Sequence, residues 1–336
     1  MRDDDANWNE MLAEFRSLGG TADNICSRQG PFGRGLFPVD PGKPIAIRIP
    51  DNLLIGIDDF VFENNKVRIY PLAAVGDRER AFLERYHQDF SWGEGGRDES
   101  ERLILMMQEL PDALRESLAT TFNLDIATTE PSDEAIQRNF LGARVIEYKK
   151  RRVVMPIVEL ANHGPVGSYD LADGVALRGT FQGEVLARYT ASDSLAVFRS
   201  WGFASEEEIA LSLPIRLPID PRTLRIDDRF DLPKESERLW VPKMSIEGNE
   251  IRLSYLMLGN RRYPRLSKGI FQKLMQEAGV EGAAEIFDRL LQMNQLRYLE
   301  LLGALEDLDA AIAPTLRKMA RYQLQTMSFC VGTRQL

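Results

Sequence analysis

The stretch VVMPIVELANH, Val153 to His163, decides how this chain is read. Its apolar run has the composition of a buried strand, interrupted by Pro156 and closed by a polar pair. Side by side at a strand end, Asn162 and His163 offer side-chain donors and acceptors together with two backbone groups. Such a pair either closes the strand as an Asx turn with a hydrogen-bonded histidine or lines a binding site. Just upstream, KKRR, Lys149 to Arg152, is the one dense basic run. Being isolated, it predicts a solvated turn between a helix and a strand rather than a nucleic-acid contact. Downstream, GEVLARY, Gly183 to Tyr189, ends on a tyrosine that, read alone, is a strand residue whose ring packs while its hydroxyl reaches water. Farther out lie WGF, Trp201 to Phe203, and, near the N-terminus, GRGLF, Gly33 to Phe37.

The periodicity around these segments changes twice. Asp4 to Leu18 carries Trp8, Met11, Leu12, Phe15 and Leu18 at helical spacing and stops at Gly19-Gly20. PIAIRIP, Pro44 to Pro50, alternates as a strand does. From about residue 76 to 148 the apolar residues fall three or four apart, and Ser132 is a candidate N-cap. Strand signal resumes at Arg152 and runs through VALRG to GEVLARY. A helical block between two β-rich stretches predicts an α+β fold rather than a repeated βαβ unit. After residue 205, ALSLPIRLPI and NEIRLSYLML have strand character. Helices dominate from Ser267, with Pro314 as a break or kink. The expected division is residues 1–205, with a helical insert at about 76–148, followed by a mainly helical domain at 206–336.

Composition narrows the function. At 336 residues the chain exceeds one core and suggests two domains. A net charge of −9 argues against a general nucleic-acid binder and favours basic partners. No apolar run approaches the roughly 20 residues of a membrane span, and the acidic start MRDDDANW lacks the regions of a signal peptide. A cytoplasmic protein with no membrane association is expected. Two cysteines, Cys26 and Cys330, and two histidines, His87 and His163, build neither a disulfide framework nor a zinc site, and no metal is expected.

In their order the four segments resemble the SET domain of protein lysine methyltransferases. The closest branch is that of the Rubisco large-subunit lysine methyltransferase, which carries a helical insert and a helical C-terminal domain. The resemblance covers roughly residues 8 to 205; beyond, only helical character matches. It implies a SET-type β-rich fold, S-adenosylmethionine as cofactor and a lysine-bearing protein or peptide as partner. It also implies that Asn162 and His163 contact the cofactor, since Pro156, Asn162 and His163 match VPxxDxxNH, with Glu159 in the place of Asp. GRGLF resembles GxGLxA, which sets Phe32, Gly33 and Arg34 against the amino-acid end of the cofactor. Glycine permits that close approach, and no helix pattern follows to make a dinucleotide fingerprint.

Gly183 and Glu184 keep the GEE-type strand, with Val185 where Glu or Gln is common. Tyr189 at its end is then the catalytic tyrosine, its hydroxyl toward the transferring methyl group and against the cofactor. Arg144 in GARVIEY resembles the SRAF arginine at the cofactor or acceptor region, and Tyr148 falls near a second arginine of the Rubisco enzyme. WGF replaces YGF. Trp201 offers an aromatic wall for a lysine stem, and Phe203 packs on the adenine side; both read equally well as core. Tyr169 and Trp201 would set the size of the lysine pocket, which Tyr148 and Glu159 complete. Without the cysteine cluster of histone-type relatives, a non-histone substrate is expected. Two alternatives stand beside this reading. One is a SET-derived scaffold without turnover, motivated by Glu159, Val185 and Trp201. The other is a methyltransferase with a different protein acceptor, such as histidine.

Overall fold

Helix Asp3–Ser17 forms where the N-terminal periodicity predicts it, and Gly19, at φ 91°, ends it. Its apolar face is buried against helix Asp77–Phe90: Trp8 meets Phe90 edge-on at 5.2 Å and Phe15 stacks on Phe82 at 5.9 Å. The computed structural model describes residues 3–165, 167–227 and 241–329. The chain divides into two compact units, Met1–Arg102 with Ser132–Tyr189, and Leu103–Pro131 with Thr190–Leu336.

In the first unit, short sheets bring distant segments together. Strand Ile45–Ile49 buries its three isoleucines, as the PIAIRIP alternation predicts, between Thr21–Asp23 and Val175–Gly179. A hairpin pairs Ile25–Gly30 with Gly33–Pro38. A third sheet orders Ile55–Gly56, Arg151–Val154 and Val145–Tyr148. The KKRR reading needs correction here. Residues 145–148 leave the helical block and become a strand, so Lys149 and Lys150, both left-handed at φ 49° and 63°, are the two-residue loop of a hairpin. Such loops match the twist of the strands they join.

Where the helical insert is expected the chain forms helices Asp77–Phe90, Arg97–Gln108, Asp112–Phe122 and Asp133–Gly142. Ser132 caps the last of these, its Oγ accepting from Ala135 N at 3.2 Å. The insert is nevertheless divided. Met107, Leu110, Leu114, Leu118 and Phe122 share one buried core with Leu290, Tyr298, Leu301 and Leu316 of the second unit. Phe122 packs edge-on to Tyr298 at 5.2 Å. Apolar burial, not chain order, assigns residues 103–131 to that unit. The same reason moves the boundary from about 205 back to 189–190. Helix Ser194–Trp201 sends Leu195 and Phe198 into this core, and its N-cap, Asp193, is wholly buried.

The expected helical C-terminal region is present, and the second unit holds sheet beside it. It holds a four-stranded sheet ordered Ile215–Ile219, Arg222–Ile226, Glu250–Leu253 and Met244–Glu247, and a strand pair Ile209–Leu211 with Met257–Asn260. Helices Leu266–Glu277, Ala283–Leu305 and Ala313–Ser328 follow. Pro314 sits in the first turn of the last helix, where its missing N–H costs nothing, and kinks no helix. Among the described residues no helix is long and apolar enough to cross a membrane.

Candidate active site

VVMPIVELANH is not one strand. The chain leaves strand Arg151–Val154 at Met155 and reverses at Ile157, whose φ of 68° and ψ of −59° are those of a γ-turn. The Val158 N–H donates to the Pro156 carbonyl at 2.8 Å, closing it. A β-branched residue at positive φ is strained, by about 1–3 kcal/mol. The 3₁₀ turn Val158–Leu160 follows, and Asn162–His163 then pairs in parallel with Leu186–Ala187. GEVLARY contributes only that two-residue strand, so Tyr189 lies just past its end. Gly164 N–H donates to Ala187 O at 3.0 Å, and Arg188 N–H to Gly167 O at 2.8 Å.

This crossing brings three of the sequence segments to one place. The Asn162 amide donates to Glu184 Oε1 at 2.5 Å and to the Arg34 carbonyl at 3.3 Å. Val185 N–H donates to Leu36 O at 2.8 Å. A Cβ on Gly35 would lie 2.1 Å from Glu184 Oε1 and 2.9 Å from Asn162 Nδ2, so the arrangement requires glycine there. Arg34, the next residue back, reaches Glu94 at 3.5 Å and lies 5.6 Å from the centre of the Phe90 ring. Gly33 turns the hairpin at φ 93°. Phe32 stands at its tip, 65% exposed.

Tyr189 and His163 form the second half of the site. Their rings lie 5.1 Å apart at 60°. The Tyr189 N–H donates to His163 Nδ1 at 3.3 Å, which makes Nδ1 the acceptor and leaves Nε2 to carry the proton of the neutral ring. The Tyr189 hydroxyl donates to Ala161 O at 2.8 Å. Burial raises the pKa of Tyr189, and Arg144, Glu159 and Glu184 all act on it electrostatically. Tyr169 is raised by burial and then by Tyr189. Two neighbouring phenols are thus held neutral.

Arg144 follows helix Asp133–Gly142. Its guanidinium lies 4.1 Å from the centre of the Phe140 ring, with Nη1 donating to Phe140 O at 3.4 Å and Nε 3.5 Å from Glu159 Oε2. The Glu159 side chain is 1% exposed. Expected beside a substrate lysine, it faces Arg144 on one side and Tyr86, His87 and Ser91 on the other. Those three residues were not among the sequence candidates. The one available signal was His87, a histidine on the apolar face of a predicted helix.

Other candidates fall elsewhere. Tyr148 lies at the loop end of its hairpin, opposite the end at Val145 that adjoins Arg144. Its hydroxyl donates to Asp51 Oδ1 at 2.7 Å and accepts from Gly174 N at 3.0 Å. Trp201 and Phe203 belong to the second unit. Trp201 ends helix Ser194–Trp201, which Gly202 caps at φ 74°. An open cavity of about 400 Å³ in that unit, lined by Leu114, Phe122, Arg297 and Leu301 among others, contains none of the candidates.

No protein-family model matches the chain, and no curated protein matches it. Among solved structures, the SET domain of LSMT bound to lysine and AdoHcy is similar over 97% of this chain and 91% of that one, at 14% identity and a TM-score of 0.43. Rubisco LSMT bound to sinefungin and monomethyllysine gives the same identity and TM-score over 97% and 90%. The SET domain of LSMT bound to methyllysine and AdoHcy follows at 13% identity and a TM-score of 0.41, over 96% and 90%. The likeness is distant, and the residues of the site must carry the functional reading.

Proposed function

We propose that this protein transfers a methyl group from S-adenosylmethionine to a lysine side chain of a protein or peptide, with a non-histone substrate expected. The observation that carries this reading is the meeting of GRGLF, ELANH and GEVLARY around Gly35, where Asn162, Glu184 and the His163–Tyr189 pair share one corner of the first unit. The lining fits such a cofactor. A bare glycine backbone admits close approach, Arg34 and Arg144 offer cations for a carboxylate, and Glu94, Glu99 and Glu184 offer anions for an amino group or a sulfonium. S-adenosylmethionine supplies an electrophilic methyl group on a positively charged sulfur.

The chain's own contribution is orientation and proton control. A lysine must lose its proton before its nitrogen can bond to the methyl carbon, whose bond to sulfur breaks and leaves a neutral thioether, and the deprotonation costs roughly 4–5 kcal/mol at pH 7. A desolvated pocket that already holds positive charge lowers that cost by disfavouring the ammonium form, and water takes the proton. The Tyr189 hydroxyl stays protonated because it is buried, and its hydrogen is held by Ala161 O, which fixes the orientation of the phenol. Alignment of this kind is worth up to about 7–11 kcal/mol in well-oriented reactions. The second unit is then assigned to substrate binding.

Titration calorimetry with S-adenosylmethionine, and mass spectrometry of lysine peptides after incubation, test the reading. Cofactor binding together with a 14-Da gain on lysine, the mass of a methyl replacing hydrogen, is the expected result. No heat at millimolar cofactor would favour the scaffold, and a gain on histidine would change the acceptor. Tyr189→Phe is expected to lose most turnover while cofactor binding survives; equal turnover would remove Tyr189 from the chemistry.

A further inference from the structure

Behind Arg144 lies a group of polar side chains that the proposed transfer does not use. Tyr86 and His87, from the last turn of helix Asp77–Phe90, are 0% exposed, and Ser91, just past its end, is 4% exposed. His87 Nδ1 lies 3.7 Å from Glu159 Oε1. His87 is further enclosed by the rings of Phe60 and Tyr86, each 5.1 Å from its own. Both Glu159 oxygens, both His87 nitrogens and the hydroxyls of Tyr86 and Ser91 are buried together, with those two hydroxyls directed at the Glu159 carboxylate. The strained γ-turn at Ile157 lies two residues before Glu159.

A buried polar cluster and a strained turn therefore converge on one carboxylate, and that carboxylate faces Arg144. Four contacts hold the guanidinium and leave part of it exposed. The Phe140 ring stacks on it at 4.1 Å, Phe140 O takes Nη1 at 3.4 Å, Glu159 lies 3.5 Å from Nε, and Glu99 is 4.0 Å from Nη2. The geometry points to Glu159 as a positioning residue. Confined by Tyr86, His87 and Ser91 and delivered by the γ-turn at Ile157, it fixes the Arg144 guanidinium in the orientation that the site beside Tyr189 requires. The benefit of that orientation for cofactor binding rests on the methyltransferase reading; the fixing of Arg144 does not.

The test uses the full chain and two readouts. In the ligand-free protein, the Nε–Hε resonance of Arg144, identified by its loss in Arg144→Lys, reports the contact with Glu159. Glu159→Gln is expected to shift this resonance and speed its exchange with solvent. An unchanged resonance overturns the inference, whatever the protein binds. In calorimetry, Glu159→Gln is expected to weaken S-adenosylmethionine about tenfold, the loss of one charge-assisted contact, and to weaken it no further in an Arg144→Ala background. Additive losses, or unchanged affinity in Glu159→Gln, overturn the inference. A shifted resonance in a protein that binds no cofactor supports the positioning role and defeats the methyltransferase reading. Should Glu159→Gln fail to fold, Ser91→Ala loosens the same carboxylate and is expected to move the Arg144 resonance the same way by less; no movement overturns the inference.

Discussion

At Gly35 the demand on a single residue is plain. A side chain there would place its first carbon 2.1 Å from Glu184 Oε1, and Glu184 in turn is held at 2.5 Å by Asn162. Gly35→Ala must therefore displace the carboxylate, an overpacking worth about 1–3 kcal/mol. Thermal melts should show the loss, and Gly35→Ala combined with Glu184→Ala should recover most of it, since the second change removes the obstructing oxygen. A double variant no more stable than Gly35→Ala would mean that Glu184 is not what the glycine accommodates. Cofactor affinity should not return with stability, because the Asn162–Glu184 bond is absent in the double variant.

At the scale of an element, helix Asp77–Phe90 ends on a histidine that cannot take up a proton easily. Burial, and then Arg144, lower the His87 pKa from 6.5 to about 3. Between those values the unfolded chain binds a proton that the folded one refuses, so stability rises with pH in this window and falls as pH drops through it. Glu159 acts in the opposite sense. Its pKa is raised by burial, so its contribution falls as pH climbs above the ordinary carboxylate value of 4.5. Urea midpoints from pH 7 to 4 should decline more steeply for the wild type than for His87→Leu; parallel declines would show that His87 titrates normally. Helix Ser194–Trp201 starts from a different kind of buried group. Asp193 accepts from Ala196 N at 3.0 Å, Leu211 N at 3.0 Å and the Gln323 amide at 2.6 Å, tying helix, strand and C-terminal helix together. Asp193→Ala leaves these donors unsatisfied and should cost about 3 kcal/mol or more in urea unfolding. A loss under about 1 kcal/mol, the ordinary worth of an exposed cap, would contradict the role.

For the whole molecule, the net charge of −9 sets the long-range field. Under the proposed function, a lysine peptide with basic flanks should show a KM that rises several-fold as salt increases from about 0.05 to 0.5 M, where the screening length shrinks to a few ångströms. A peptide with acidic flanks should not. Identical salt responses would remove the field from substrate choice.

Much of the architecture was legible without coordinates. The N-terminal helix, the PIAIRIP strand, the Ser132 cap and the helices between residues 77 and 142 all follow from periodicity and capping, which involve residues four or fewer positions apart. The proximity of GRGLF, the Asn162–His163 pair and the GEVLARY segment was legible only through family resemblance. Other features depended on contacts between segments far apart in the chain. Arg34 and Asn162 meet across 128 positions, and no local pattern encodes such a pairing. The reversal at Ile157, the glycine required at residue 35, the enclosure of Glu159 by Tyr86, His87 and Ser91, and the sharing of the insert between two cores all arise when distant surfaces are packed to exclude water. Local propensity is set by each residue and its near neighbours. Close approach and burial are set by whatever the rest of the chain brings alongside.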